Sequence, residues 1–82
     1  MISRITPMNF SSKFKTYRHA NEPYSNETKV ESFCSDNNIK YAKTVYDDGT
    51  TIDFEVDDDF DYTVERMLYF NDISYSKTKK FN

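Results

Sequence analysis

Between Thr51 and Asp57 the chain alternates without a break, with Ile52, Phe54 and Val56 on one parity and Thr51, Asp53, Glu55 and Asp57 on the other. Only a β-strand sends successive side chains to opposite faces, so this run predicts a strand with one buried face and one wet face. Upstream, Ile39, Tyr41 and Val45 share a parity, and Asp47-Asp48-Gly49-Thr50 lies between the two runs. Asp-Gly in that place is a strong hairpin signal. A two-residue turn at Asp48-Gly49 sets Val45 opposite Ile52, Tyr41 opposite Val56 and Lys40 opposite Asp57. A three-residue turn sets Lys43 opposite Asp53. Both registers give sensible cross-strand pairs, so the pattern leaves the register open. A hairpin with one apolar face must be covered by another layer, and the rest of the chain has to supply it.

Residues 8–18 alternate as well. Met8, Phe10 and Phe14 fall on one side with Ser12 and Thr16, and Lys13, Lys15 and Tyr17 fall on the other. This predicts a half-buried strand with a basic outer face, and Pro7 suits its first position. Residues 19–24 contain Pro23 and lack a period, so they read as a loop. Ser25 reads as an N-cap, and Glu27 as an acid placed at the positive end of a helix. Val30, Phe33 and Cys34 then follow at helical spacing, and Asn37-Asn38 ends a helix over 26–36. Phe60, Val64, Met67 and Leu68 predict a second amphipathic helix over 59–70, with Asp57, Asp58 and Asp59 at its start. Ile73, Tyr75 and Lys77 alternate with Ser74, Ser76 and Thr78, as a last strand or as a tail.

The order is β-α-β-β-α-β, a small α+β sheet with two helices in the ferredoxin-like arrangement. The alternative is β-α-β-β-α with a loose C-terminal tail. Eighty-two residues make one domain, 1–82, with 1–7 and 78–82 expected to fray. Its core must be unusual. Seven Phe and seven Tyr outnumber the Ala, Val, Ile and Leu together, so rings do the work of aliphatic side chains. Phe10, Phe14, Phe33, Phe54, Phe60 and Tyr41 all fall on faces that the pattern buries.

Several chemistries are excluded by what is scarce. One Gly cannot build a glycine-rich phosphate loop, and one Cys with one His cannot make a four-ligand zinc site. Asp57-x-Asp59-x-Asp61 resembles the opening of a calcium loop. It has Tyr62 where Gly is required and Leu68 where Glu is required, so no metal and no cofactor is expected. His19 has no identifiable partner for acid–base work, and Cys34 shares an apolar helix face, where thiols are inert. The reading is therefore non-enzymatic. No apolar run of signal-peptide or membrane-span length is visible, and the lone Cys suits a reducing compartment, so the expectation is a cytoplasmic protein with no membrane partner. The richness in Lys, Asn, Asp, Ser, Tyr and Phe follows AT-rich codons and fits a phage source.

The net charge of −3 conceals a division. Residues 1–43 carry +3, residues 44–72 carry −9 and residues 73–82 carry +3. In the acidic block, Asp53, Glu55 and Asp57 fall on one strand face about 7 Å apart, like the charged row of a nucleic-acid backbone. With Asp47, Asp48, Asp58 and Asp59 they form a strip that has no base before Arg66. Like charges retained on one face without local compensation point to function. The expectation is a protein-binding inhibitor or adaptor whose acidic strip docks on a basic partner, such as a nuclease or other nucleic-acid-handling protein, by nucleic-acid mimicry. The alternative is an RNA- or DNA-binding module using Lys13, Lys15, Tyr17 and Arg18, where bases and an aromatic combine. The divided charge also predicts a homo-oligomer in which a basic edge meets an acidic hairpin.

Overall fold

The computed structural model describes residues 10–81. Strand β1 (Phe10–His19) is followed by helix α1 (Tyr24–Asp36), the hairpin β2 (Tyr41–Tyr46) and β3 (Gly49–Asp57), helix α2 (Asp61–Phe70) and strand β4 (Ser74–Phe81). The four strands form one antiparallel sheet in the order β2-β3-β1-β4. This is the β-α-β-β-α-β ferredoxin-like arrangement, and the tail alternative falls away. Pairing of β4 with β1 continues from Tyr17↔Ser74 to Phe10↔Phe81, so residues 78–81 belong to a strand. The stretch 1–7 lies outside the described residues.

The core forms on one face of the sheet. Phe14, Ile52, Phe54 and Val56 meet Val30 and Cys34 of α1, Val64 and Leu68 of α2, and Ile73. Phe14 and Phe54 stack at 5.4 Å between centroids, and Phe33 and Phe60 stack at 6.0 Å under the helices. Such ring pairs add about 0.5–1.5 kcal/mol each beyond the area they bury. Two expected core rings are exposed instead. Phe10 sits at the start of β1 and Tyr41 on the edge strand β2, where no further layer reaches.

Both helices stop by the same device. Asn38 (φ 57°) and Asp72 (φ 54°) adopt the left-handed conformation. The next N–H then turns back, Ile39 to the Cys34 carbonyl at 2.8 Å and Ile73 to the Leu68 carbonyl at 3.0 Å. This is the Schellman closure, and the isoleucine that follows each turn enters the hydrophobic layer.

The starts differ from expectation. Helix α1 begins at Tyr24 with Pro23 at its cap (φ −58°, ψ 134°), so Ser25 lies inside the first turn and caps nothing. The entry is held from β1 instead: the His19 N–H donates to the Glu22 carboxylate at 2.8 Å, and the Glu22 N–H to the His19 carbonyl at 2.9 Å. A 3-10 turn, Asp58–Phe60, precedes α2, which begins at Asp61.

The hairpin turn is Asp47-Asp48, one residue earlier than Asp48-Gly49. Val45 faces Thr50, Lys43 faces Ile52 and Tyr41 faces Phe54. Neither expected register occurs, although the parity of the two-residue form survives. Gly49 serves a different need. A Cβ there would lie 2.3 Å from the Arg18 carbonyl oxygen of β1, so the glycine permits close approach between strands.

Candidate functional site

The helices cover one face of the sheet, and no described element covers the other. Strand alternation places Lys13 and Lys15 of β1, Asp53, Glu55 and Asp57 of β3, and Ser76, Thr78 and Lys80 of β4 on this open face. The register makes Lys13 the direct neighbour of Glu55, and Lys15 that of Asp53. A shallow groove runs between them, lined also by Ser76 and Thr78. The acidic row of β3 therefore exists as the alternation predicts, but a basic row lies beside it. The expected lack of local compensation is corrected: residues some forty positions apart in sequence are brought side by side by the β1–β3 pairing.

The two faces handle their charges differently. On the helix face, Lys43 of β2 bonds Glu27 at 2.8 Å and Glu31 at 3.2 Å of α1. Lys77 of β4 bonds Asp61 and Glu65, and Lys79 bonds Asp58 and Asp61, all at 3.2–3.3 Å. Each edge strand thus clamps the helix above it. On the open face, no ion pair within 4.0 Å joins Lys13, Lys15, Asp53, Glu55 or Asp57 to an opposite charge among the described residues. Glu55 is steadied by the Ser11 hydroxyl, which donates to it and holds its carboxyl below the ordinary value.

The remaining predicted residues are dispersed. Asp47 and Asp48 stand exposed at the hairpin tip, one strand length from Asp57. Asp58 belongs to the β4 clamp, and Asp59 is exposed in the 3-10 turn. Of the alternative basic set, Lys13 and Lys15 stay exposed. Tyr17 donates its hydroxyl to the Asp48 carbonyl at 3.3 Å, and burial together with the Asp48 charge raises its pKa. Arg18 turns to the helix face, where its Nε bonds Glu27 at 3.0 Å. Glu27 is therefore a buried anchor, 3% exposed, and not only a helix-dipole acid.

Pattern reading missed one surface. Tyr62, Arg66, Tyr69 and Phe70 occupy the outer side of α2, and the three rings are 69, 74 and 67% exposed. The Arg66 guanidinium lies over Tyr62 at 5.5 Å and Phe70 at 5.2 Å. Their spacing of four, seven and eight positions was legible as a second stripe on the same helix, but the inner stripe of Val64 and Leu68 claims attention first.

Among the described residues, no three His, Cys, Asp or Glu side chains gather into a metal-binding group. No described helix is long and apolar enough to cross a membrane.

No family model matches the chain, and no curated protein matches it. A solved structure does: the regulatory subunit of aspartate kinase from Thermus thermophilus, in its ligand-free form. The match has a TM-score of 0.51 at 13% sequence identity and covers 92% of this chain. This chain spans 57% of the length of that one, and the likeness is one of fold alone.

Proposed function

We propose that the domain is a non-catalytic adaptor or inhibitor that binds a protein partner through the open face of its sheet. The observation that supports this reading is the pair of unpaired charge rows, Asp53-Glu55-Asp57 beside Lys13-Lys15, on a face that no described element covers. Adjacent strands lie about 4.8 Å apart, so the rows form two narrow stripes of opposite sign. The partner that fits presents a basic row to β3 and acidic groups to β1. That requirement sharpens the mimicry idea: the acids take the place of phosphates only along one stripe, so the partner is a protein with a basic ridge, such as a nucleic-acid-handling protein, and its contact extends beyond the ridge. The reading places the protein in the cytoplasm. Direct nucleic-acid binding draws less support, because Arg18 is committed to Glu27 and carboxylates flank both remaining lysines.

The test exchanges the stripes. Lys13→Glu and Lys15→Glu, combined with Asp53→Lys and Glu55→Lys, preserve net charge and cross-strand complementarity but invert the pattern. Partner capture from the source cells should be lost while the thermal midpoint stays near that of the parent. Capture that survives the exchange overturns the reading, as does RNA or DNA binding with a steep salt dependence.

A further inference from the structure

The two edges of the sheet are protected unequally. Strand β4 presents three lysines: Lys77 and Lys79 are drawn to Asp58, Asp61 and Glu65, and Lys80 remains on the open face as a guard of that edge. Strand β2 has one lysine, Lys43, and it is drawn up to Glu27 and Glu31. What β2 leaves at the rim is neutral and largely apolar or aromatic: Tyr41, Ala42, Thr44, Val45 and Tyr46, all exposed, with Val45 at 71%. One side of this strand pairs with β3, and the backbone groups of the other side have no strand to pair with among the described elements.

We propose that β2 is a self-association edge, and that its occupant is β2 of a second copy of this chain, joined antiparallel about a two-fold axis at Thr44. A two-fold axis perpendicular to the sheet keeps the helices of both copies on one side, so facing residues must share parity. An axis at any residue meets that condition, and the two that pair the most of Tyr41–Tyr46 lie at Lys43 and at Thr44. The first sets Lys43 against its own counterpart, a like-charge pair. The second sets Thr44 against Thr44, Lys43 against Val45 and Ala42 against Tyr46. It also brings the Lys40 end of one strand alongside the Asp47-Asp48 turn of the other, an opposite-charge match repeated by symmetry. Charge thus selects the axis. Self-association through a basic β4 and the acidic hairpin is less well supplied, since Lys77 and Lys79 are already bonded to Asp58, Asp61 and Glu65.

A contact of one six-residue strand is small against the roughly 1,200 Å² of a standard stable interface, so the dimer should dissociate on dilution. Sedimentation equilibrium of the full chain, from about 10 µM to about 1 mM, should show a monomer–dimer exchange. Val45→Lys places a lysine opposite Lys43 of the other copy and should weaken the dimer about tenfold or more. Thr44→Cys should give a disulfide-linked dimer under mild oxidation, because the axis sets residue 44 against itself. Ala42→Cys, which faces Tyr46, should not, and native Cys34 is fully buried. A chain that stays monomeric at the upper concentration overturns the proposal and leaves the edge to an extended segment of another protein. A dimer indifferent to Val45→Lys, or one that fails to cross-link at position 44, overturns it too.

Discussion

Replacing Glu27 by Gln keeps the side chain's shape and removes its charge, so it isolates what the buried carboxylate does. Glu27 receives Arg18 Nε at 3.0 Å and Lys43 Nζ at 2.8 Å, and ties β1 and β2 to α1. Burial pushes its carboxyl upward, but the hydrogen bonds from Lys43 and Arg18 outweigh burial and hold it below the ordinary glutamate value. A charge-assisted hydrogen bond contributes about 1.5–3 kcal/mol. Gln retains one acceptor, so one such bond is lost, and its amide group then faces a cation. The side chains of Arg18 and Lys43 are 15 and 30% exposed, so water recovers part of the loss. The net cost of Glu27→Gln is therefore about 2 kcal/mol, short of the 3–5 kcal/mol for breaking a fully buried pair. A domain of this length holds about 4–12 kcal/mol in total, and its midpoint should fall by about 8–16 °C. Because the folded-state pKa lies below the unfolded value near 4.3, the charged form stabilises the fold above that value. The stabilisation is lost as pH falls through the lower folded value. Urea unfolding followed by circular dichroism should thus show a large difference between parent and variant at neutral pH, and a shrinking one below about pH 4. A variant within about 0.5 kcal/mol of the parent at neutral pH, or a difference that does not shrink in acid, refutes the assignment of Glu27 as a charged anchor.

Gly49→Ala forces a Cβ against the Arg18 carbonyl, so the β1 and β3 backbones must move apart locally; the expected loss is about 2 kcal/mol or more, read from the same urea titration. Cys34 is fully buried, and burial, assisted by the Glu31 charge, pushes its thiol up to about 11. A thiol reagent near pH 8 should therefore leave the folded protein unlabelled and react at once in urea, whereas rapid labelling without denaturant refutes that burial.

The strands and helices were legible because their periods are clean: Ile52, Phe54 and Val56 alternate, and Val64 and Leu68 recur at helical spacing, with no Pro in any described element and the one Gly at the first position of β3. The helix ends were half legible. Asn37-Asn38 reads as a stop, and Asn71-Asp72 repeats the device with the same following isoleucine. What escaped was everything that depends on which strands become neighbours. Gly49 looked like a turn residue, but its role is set by the backbone of β1, which local pattern cannot see. Lys13 and Lys15 looked like a nucleic-acid surface, and Asp53 and Glu55 like an uncompensated one, until the register set them side by side. Ser25 looked like a cap because the Pro23 entry, held by His19 and Glu22, has no local signature. Phe10 and Tyr41 have the parity of core residues but lie where the covering layer ends.

The position of β1 has a consequence for how the molecule is made. It is the first described strand of the chain, yet it lies between β3 and β4, and its last partner, Phe81, lies at the far end of the described chain from Phe10. Loop closure over such separations is slow relative to local pairing. During synthesis the β2–β3 hairpin and α1 can form early, while β1 exposes an open edge until β4 emerges, a delay on the order of seconds at ordinary elongation rates. For that interval the nascent domain displays the unpaired backbone of the β1 edge that β4 later covers. The charge clamps from Lys77 and Lys79 to α2 can close only with the last strand in place. The vulnerability of this fold is then partly one of timing: until β4 is made, the new chain offers β1 as well as β2 to a wrong strand.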